Sequence, residues 1–212
     1  MAGFETTLPI TLDNMIYHAA GGPGHEPGLV VVDLPFGTYQ EIPSSPGIAI
    51  RIMKETGASA IKLEGASKSW NRSTASCRRA SRSWVTSASP QAIHKFGTCV
   101  VRATESEEAE KLKSDAIRLA QAGCFAIVLE KIPAKLAGEV SRSIAIPTIG
   151  IGAGREVDGQ VLVLHDMLGI TQEFSPRFLR RYHNLQMEVK GAVSNYIEDV
   201  RSRNFPNESE SY

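Results

Sequence analysis

Three acidic residues each follow a short apolar run, and this pattern marks candidate chemistry in the chain. Asp33 follows a run of valines, Glu64 ends an Ala-Ile-Lys-Leu run that contains Lys62, and Glu130 follows Ala-Ile-Val-Leu. Continuous apolar runs of this length are typical of strands buried on both faces of a parallel sheet. Carboxylates gathered at matching strand ends favour a metal ion or a reacting proton, because burying a carboxylate without a partner is costly. The alternative for each acid taken singly is the first solvated residue after its strand.

The amino-acid composition limits the classes of protein to which the chain can belong. The chain has 212 residues, 42% of them hydrophobic, which is enough to bury one substantial core in one domain. Lys plus Arg equals Asp plus Glu at 23 each, so no charge excess favours nucleic acid or an anionic membrane as a partner. The sequence has no apolar stretch of membrane-spanning length and no secretory signal pattern, and we expect a cytoplasmic protein.

Cysteines and histidines give no zinc or disulfide pattern. Cys77, Cys99 and Cys124 form no CxxC pair and are odd in number, which indicates reduced thiols. The histidines lack ligand spacing, and only His165, at the end of a predicted strand, is a candidate for supporting a site.

Alternating patterns predict an α/β protein. Turn and capping residues mark the ends of the predicted helices and strands; Gly57 and Gly123, for example, each follow a predicted helix. Strand alternating with helix indicates a parallel sheet, either open or closed into a barrel. The predicted strands are Leu29 to Asp33, Ala60 to Glu64, Phe125 to Glu130, Thr148 to Ile151 and Val161 to His165, and the predicted helices begin near Thr11, Ala49, Glu105 and Ala134.

The interval between Glu64 and Glu130 is long enough for two βα units, so a further strand is expected there. Residues 66–89 show no clear strand pattern; they are rich in Ser and Arg and contain no acid. The composition therefore predicts that this segment is irregular.

Several motifs, taken in order, resemble 3-methyl-2-oxobutanoate hydroxymethyltransferase, the ketopantoate-forming family of pantothenate synthesis. The motifs are Thr6-Thr7-Leu8-Pro9-Ile10-Thr11, Val32-Asp33-Leu34-Pro35-Phe36-Gly37, Ile61-Lys62-Leu63-Glu64-Gly65, Pro90-Gln91-Ala92-Ile93-His94-Lys95-Phe96-Gly97, Val128-Leu129-Glu130, Ile149-Gly150-Ile151-Gly152-Ala153-Gly154 and His165-Asp166-Met167-Leu168-Gly169.

The resemblance implies a (β/α)8 TIM barrel and a role for each charged strand-end residue. Asp33 and Glu64 would bind Mg²⁺, with Asp33 also against the substrate; Lys62 would bind the oxo acid; Glu130 would accept the C3 proton. The co-substrate implied is 5,10-methylenetetrahydrofolate, and a homo-oligomer is expected. From the residues alone, Lys62 has a compatible second role as a salt-bridge partner of Glu64. The glycines at 150–154 favour a tight turn over a phosphate cradle.

The chain also departs from the family pattern. The first two barrel strands, with a Val-Gly-Asp-Ser motif that supplies another metal-binding Asp, would precede Met1, and a Gly-His-hydrophobic-Gly strand is missing before Pro90. We hypothesise a frame shift within 79–89, since a shifted reading regenerates that motif, and a second one within 21–28. Residues 1–212 are thus expected to form one partial barrel domain with an aberrant segment at 66–89.

Two alternatives to an active hydroxymethyltransferase stay open at this point. One is an inactive remnant of the same family or the product of a misannotated gene, since a barrel without two strands loses a metal ligand. The other is a related phosphoenolpyruvate/pyruvate-type barrel lyase, which shares metal and enolate chemistry but leaves the Leu-Pro-Phe-Gly and Pro-Gln-Ala-Ile-His-Lys-Phe-Gly motifs unexplained.

Overall fold

The computed structural model describes residues 4, 6–20, 28–38, 45–64, 83–86, 101 and 103–212, and for positions 45, 46, 64 and 83–86 it describes the backbone only. The chain divides into two compact units, Met1–Val161 and Leu162–Tyr212. No helix within the described residues is long and apolar enough to cross a membrane.

Strands and helices alternate through the first unit, as the sequence pattern predicts. Its elements are α1 Leu12–Ala20, β1 Val31–Asp33, α2 Ser45–Thr56, β2 Ala60–Glu64, β3 Ser83–Thr86, α3 Ser106–Gln121, β4 Ala126–Glu130, α4 Ala134–Ser143, β5 Thr148–Ile151 and β6 Gly159–Gln160. Gly57 and Gly123, with φ of +69° and +92°, follow α2 and α3 in the left-handed conformation that glycine adopts at no steric cost.

The sheet is parallel and its strands follow chain order, β1-β2-β3-β4-β5-β6, without a reversal. The carboxyl-terminal ends of all the strands therefore lie at the same end of the sheet. The register pairs Asp33 with Lys62, Glu64 with Thr86, and Glu130 with Ile151.

The two faces of the sheet have different surroundings. One face presents Val32, Ile61, Leu63, Ile127 and Leu129, which are at most 3% exposed. These side chains belong to one core cluster with residues of α1, α2, α3 and α4. Because side chains alternate along a strand, the other face carries the charged residues at the ends of β1, β2 and β4. The helices of the first unit thus cover the face that carries no strand-end charge.

Most predicted elements of the first unit are confirmed. Ala60–Glu64 and Thr148–Ile151 have the predicted bounds; β1 and β4 begin one or two residues later than predicted, and α2 begins four residues earlier. Periodicity located these elements well because each buries one continuous face.

The structure of residues 83–86 contradicts the sequence prediction. We expected 66–89 to be irregular, yet Ser83–Thr86 is a strand with parallel partners on both sides, β2 and β4. It occupies the place where the interval from Glu64 to Glu130 required a strand, and its Trp, Val and Thr residues favour extended backbone. The other residues of 66–89, on which the frame-shift hypothesis also depends, lie outside the described residues, as do 21–27.

The prediction for 161–165 is wrong. The strand is shorter and earlier, Gly159–Gln160, and Leu164–Met167 forms a helical turn, α5, in which the Val163 carbonyl accepts hydrogen bonds from the amides of Asp166 and Met167. His165 is accordingly a helical residue. The apolar run Val161 to Leu164 resembles a strand in sequence. Its first residue still bonds to β5, since the Val161 N–H donates to the Gly150 carbonyl at 3.0 Å, but from Val163 the backbone forms the hydrogen bonds of a helical turn.

The second unit contains α5 and a long helix, α6 Leu185–Ser202, which the sequence analysis did not predict. Between them, the Arg181 guanidinium donates hydrogen bonds to the carbonyls of Gln172 and Phe174, at 3.1 and 2.9 Å. These bonds hold the irregular segment that leads into α6.

Candidate active site

Asp33 and Lys62 form an ion pair at the carboxyl ends of the first two strands. They are register partners on β1 and β2, and Lys62 Nζ lies 2.5 Å from Asp33 Oδ1. The Lys62 side chain is 16% exposed and that of Asp33 is 55% exposed. The ammonium is therefore largely withdrawn from water while the carboxylate keeps access to it.

Position 64 lies two residues beyond Lys62 on β2, so strand alternation puts it on the same face as Lys62 and Asp33. The side chain of Glu64 lies outside the described residues. The sequence offered Glu64 as the salt-bridge partner of Lys62; the partner that the structure gives to Lys62 is Asp33.

Glu130 ends β4 on that same face. Its neighbours Leu129 and Ile127 alternate onto the helix-covered face, and both are completely buried. The Glu130 side chain is 38% exposed and does not enter the helix layer. Three strand spacings, about 14 Å along a flat sheet, separate β4 from β1, so curvature of the sheet decides how near Glu130 comes to Asp33.

Lys131, immediately after Glu130, was not singled out from the sequence. Its φ is +49°, in the left-handed region that residues other than glycine rarely adopt, and its Nζ lies 3.7 Å from Glu130 Oε1. Simple alternation would place two successive residues on opposite faces, so no sequence periodicity signals this contact.

The strand-end residues fit a magnesium ion in donor chemistry. The described residues contain no group of three or more His, Cys, Asp or Glu side chains that could hold a metal. Mg²⁺ does not need such a group, since it is commonly bound through one or two carboxylates together with water and substrate oxygens. The exposed Asp33 carboxylate would offer one hard oxygen ligand, and position 64 on the same face is a second acidic position.

The glycine-rich turn after β5 is explained by packing. Gly152 and Gly154 have φ of +66° and +81°, and a Cβ on Gly154 would overlap Ala134 at the start of α4. These glycines permit a tight turn against a helix, in agreement with the interpretation favoured from the sequence.

At the amino ends of the strands, a polar network surrounds Thr148, the first residue of β5. Thr148 is completely buried, and Asp158 accepts hydrogen bonds from its backbone N–H at 2.8 Å and its hydroxyl at 2.9 Å. The Ser141 hydroxyl donates to the same carboxylate at 3.2 Å. These hydrogen bonds lower the pKa of Asp158 from its ordinary value, and the bond from the Thr148 backbone N–H has the largest effect. The network lies at the amino ends of the strands, away from the candidate active site.

Asp115 on α3 has the opposite electrostatic environment. It is 7% exposed, and Lys111 Nζ is 3.8 Å from its carboxylate. Burial raises the pKa of Asp115, and the charges of Lys111 and Arg118 oppose that rise. This carboxylate belongs to the helix layer and not to the strand-end site.

A parallel α/β sheet with charged residues at its carboxyl edge is the arrangement of many metabolic enzymes, and the comparisons with known proteins name the class as a transferase. The family model for ketopantoate hydroxymethyltransferase matches residues 1–208. The chain belongs to the ketopantoate hydroxymethyltransferase family.

Curated relatives agree with this assignment. The chain is 57% identical over 219 residues to a 3-methyl-2-oxobutanoate hydroxymethyltransferase of Christiangramia forsetii, and the match covers 100% of this chain and 79% of that protein. It is 58% identical over 216 residues to the enzyme of the same name from Flavobacterium johnsoniae, with the same coverage. The corresponding protein of Salinibacter ruber is 53% identical over 223 residues, with 100% of this chain and 81% of that protein covered.

Proposed function

We propose that this chain transfers a hydroxymethyl group from 5,10-methylenetetrahydrofolate to 3-methyl-2-oxobutanoate, forming 2-dehydropantoate for pantothenate synthesis. The observation that carries the proposal is the shared face of Asp33, Lys62 and Glu130 at one edge of a parallel sheet, in a chain of this family. A carboxylate for a metal, a cation for an acid substrate and a second carboxylate for a proton are the groups this reaction requires.

The fold we propose is the (β/α)8 barrel. The strand order runs without reversal and the helices of the first unit share one core with a single face of the sheet. A sheet wound in this way curves around the face opposite its helices, whereas doubly wound folds place helices on both faces. Curvature of this sense would bring Glu130 towards Asp33 and Lys62 across the interior.

Substrate binding is assigned to Lys62 and Asp33. The Lys62 ammonium, largely shielded from water, is suited to the carboxylate of the oxo acid, because a charge-assisted contact strengthens where water is excluded. Asp33 and Glu64 are the residues that would hold Mg²⁺. When bound, Mg²⁺ supplies Lewis-acid polarisation of the substrate oxygens and makes the C3 proton more acidic.

Glu130 is assigned as the general base. One carboxylate oxygen accepts the C3 proton, and the electron pair of the C3–H bond becomes the enolate that attacks the methylene carbon of the folate. A C–C bond forms between C3 and that carbon, and both bonds from that carbon to the folate nitrogens N5 and N10 break. One water supplies the hydroxyl group, and the C3 proton and the remaining water proton end on the two nitrogens, so the products are 2-dehydropantoate and tetrahydrofolate. Glu130 must lie about 3 Å from C3 when the substrate is bound.

The test is a coupled measurement on the purified 212-residue chain with Mg²⁺. We expect exchange of the C3 proton of 3-methyl-2-oxobutanoate with deuterium, followed by 2-dehydropantoate formation when methylenetetrahydrofolate is added. Exchange without the second step would limit the proposal to enolisation. Absence of both would favour the inactive-remnant alternative, and turnover of a phosphoenolpyruvate-type substrate would favour the lyase.

A further inference from the structure

The left-handed conformation of Lys131 changes which face its side chain occupies. Glu130 lies on the charged face of β4, so regular strand geometry would send residue 131 towards the helix layer. Instead, φ is +49° and the Lys131 N–H donates to the Ile151 carbonyl at 2.9 Å, which continues the ladder with β5. The turn at this one residue brings the ammonium to the side of Glu130.

Arg203, another residue with positive φ, has a local explanation. Arg203 follows the last residue of α6, where a left-handed residue commonly ends a helix. Lys131 follows a strand, and an L-residue is an unfavourable choice where glycine would serve. A strained residue beside a proposed base is a reason to look for a function of its side chain.

The local contacts fit a role in orienting Glu130. The Lys131 side chain is 22% exposed and its Nζ is 3.7 Å from Glu130 Oε1, within ion-pair range but longer than a hydrogen bond. An ammonium at this distance attracts the carboxylate without donating a hydrogen bond to its oxygen. The carboxylate is then restrained in direction while its lone pairs stay available for a proton.

We propose that Lys131 is a positioning residue that holds the Glu130 carboxylate on the charged face of the sheet for proton abstraction. This rests on the proposed function of Glu130. The competing explanation is purely structural: the turn at 131 also leads the chain to Ile132, which is 3% exposed and belongs to the core cluster. Separating the ammonium from the backbone turn distinguishes the two.

Four variants make that separation. Lys131→Met removes the charge and keeps the side-chain length, Lys131→Arg keeps the charge, and Lys131→Gly keeps the turn while removing both side chain and strain. Lys135→Met is the matched control, since Lys135 is exposed at the start of α4 and undergoes the same chemical change.

The first readout is deuterium exchange at C3 of 3-methyl-2-oxobutanoate with Mg²⁺ present. We expect Lys131→Met and Lys131→Gly to lower kcat about tenfold with KM changed less than twofold, because misdirection of a base affects the chemical step. Lys131→Arg should recover most of the rate, and Lys135→Met should match the parent chain. Retention of full kcat by Lys131→Met, or failure of arginine to rescue, would overturn the proposal.

The second readout does not depend on turnover. In protein labelled with ¹³C at glutamate carboxyl carbons, the Glu130 resonance is assigned by its loss in Glu130→Gln. At pH 7 it should move in Lys131→Met, stay near its parent position in Lys131→Arg, and be unaffected in Lys135→Met. An unmoved resonance in Lys131→Met overturns the contact itself. If the parent chain exchanges no C3 proton while the resonance moves as expected, the proposed function of the chain fails and the positioning contact stands.

Discussion

Lys62 Nζ lies 2.5 Å from Asp33 Oδ1, joining register partners on two neighbouring parallel strands. A charged pair at this edge does little for stability, since Asp33 is more than half exposed and exposed pairs contribute about 0–1 kcal/mol. We propose that the pair lies at the carboxyl ends of the strands in order to bind a ligand.

Lys62→Met should raise KM for 3-methyl-2-oxobutanoate at least tenfold, because a hydrogen bond to a charged group contributes roughly 1.5–3 kcal/mol and tenfold in binding is about 1.4 kcal/mol. Initial rates of C3 exchange over a range of oxo-acid concentrations measure this. Lys54→Met, on the exposed surface of α2, is the control and should leave KM unchanged. An unchanged KM in Lys62→Met would assign the substrate carboxylate to another group.

Glu130→Gln should lower C3 exchange roughly 10²–10⁴-fold, the usual contribution of a positioned general base, with binding of the oxo acid retained. The amide keeps the shape of the side chain but cannot accept the proton. Calorimetric binding alongside the exchange rate separates the two effects. Glu173→Gln, at an exposed position of the second unit, is the matched control. Unaltered exchange in Glu130→Gln would transfer the base role elsewhere.

Asp158→Asn should destabilise the protein by about 1–2 kcal/mol at pH 7, because the ionised carboxylate accepts three hydrogen bonds more strongly than an amide oxygen and is partly screened by solvent. The lowered pKa of Asp158 fixes the sign of the pH dependence. Its contribution is fully present above the unfolded pKa, near 3.9, and is lost as the pH falls through the lower folded value. Urea unfolding of both proteins between pH 2 and pH 7 should show the difference shrink towards the acidic end; a constant difference would contradict the account.

Asp115→Asn should act in the opposite direction and stabilise the protein by about 0.5–1 kcal/mol at pH 7, since it removes a charge that burial disfavours. The pKa of Asp115 is raised, so the buried acid contributes most favourably when protonated and loses that contribution as the pH rises through the folded value. The gain from asparagine should thus appear on raising the pH from 3 to 7. A destabilised Asp115→Asn variant at pH 7 would mean that the ion pair with Lys111 outweighs burial.

Gly154→Ala should destabilise the protein by about 2–3 kcal/mol, because the new Cβ meets Ala134 and the positive φ adds strain. Gly57→Ala is the matched control: its φ is also positive, but a Cβ there meets nothing within 4 Å, so only about 1 kcal/mol is expected. Thermal or urea unfolding of both variants measures the contrast. Equal losses would remove the packing argument for the glycine-rich turn.

Sequence reasoning located the strand-end residues because buried parallel strands are continuous apolar runs that end abruptly. Asp33, Lys62 and Glu130 lie on one face, as that pattern implied. The spacing from Glu64 to Glu130 required a further strand, but the pattern did not locate β3, because its residues stand in a Ser/Arg-rich segment whose composition predicts irregular backbone. It also missed the contact between Glu130 and Lys131, because one backbone φ angle determines it.

Strand register determines where codons can be inserted or deleted without loss of folding. Asp33, Lys62 and Glu130 share a face only because each lies at a fixed parity along its strand. Deleting the codon for Ile61 in β2, for example, would place Leu63 on the charged face in the position of Lys62. The Lys62 ammonium would then point into the apolar helix layer. The same deletion in an exposed connection would cost little. Viable insertions and deletions should accordingly collect in the connections and spare the strands, and a library of single-codon deletions scored for folding would reveal that periodic intolerance.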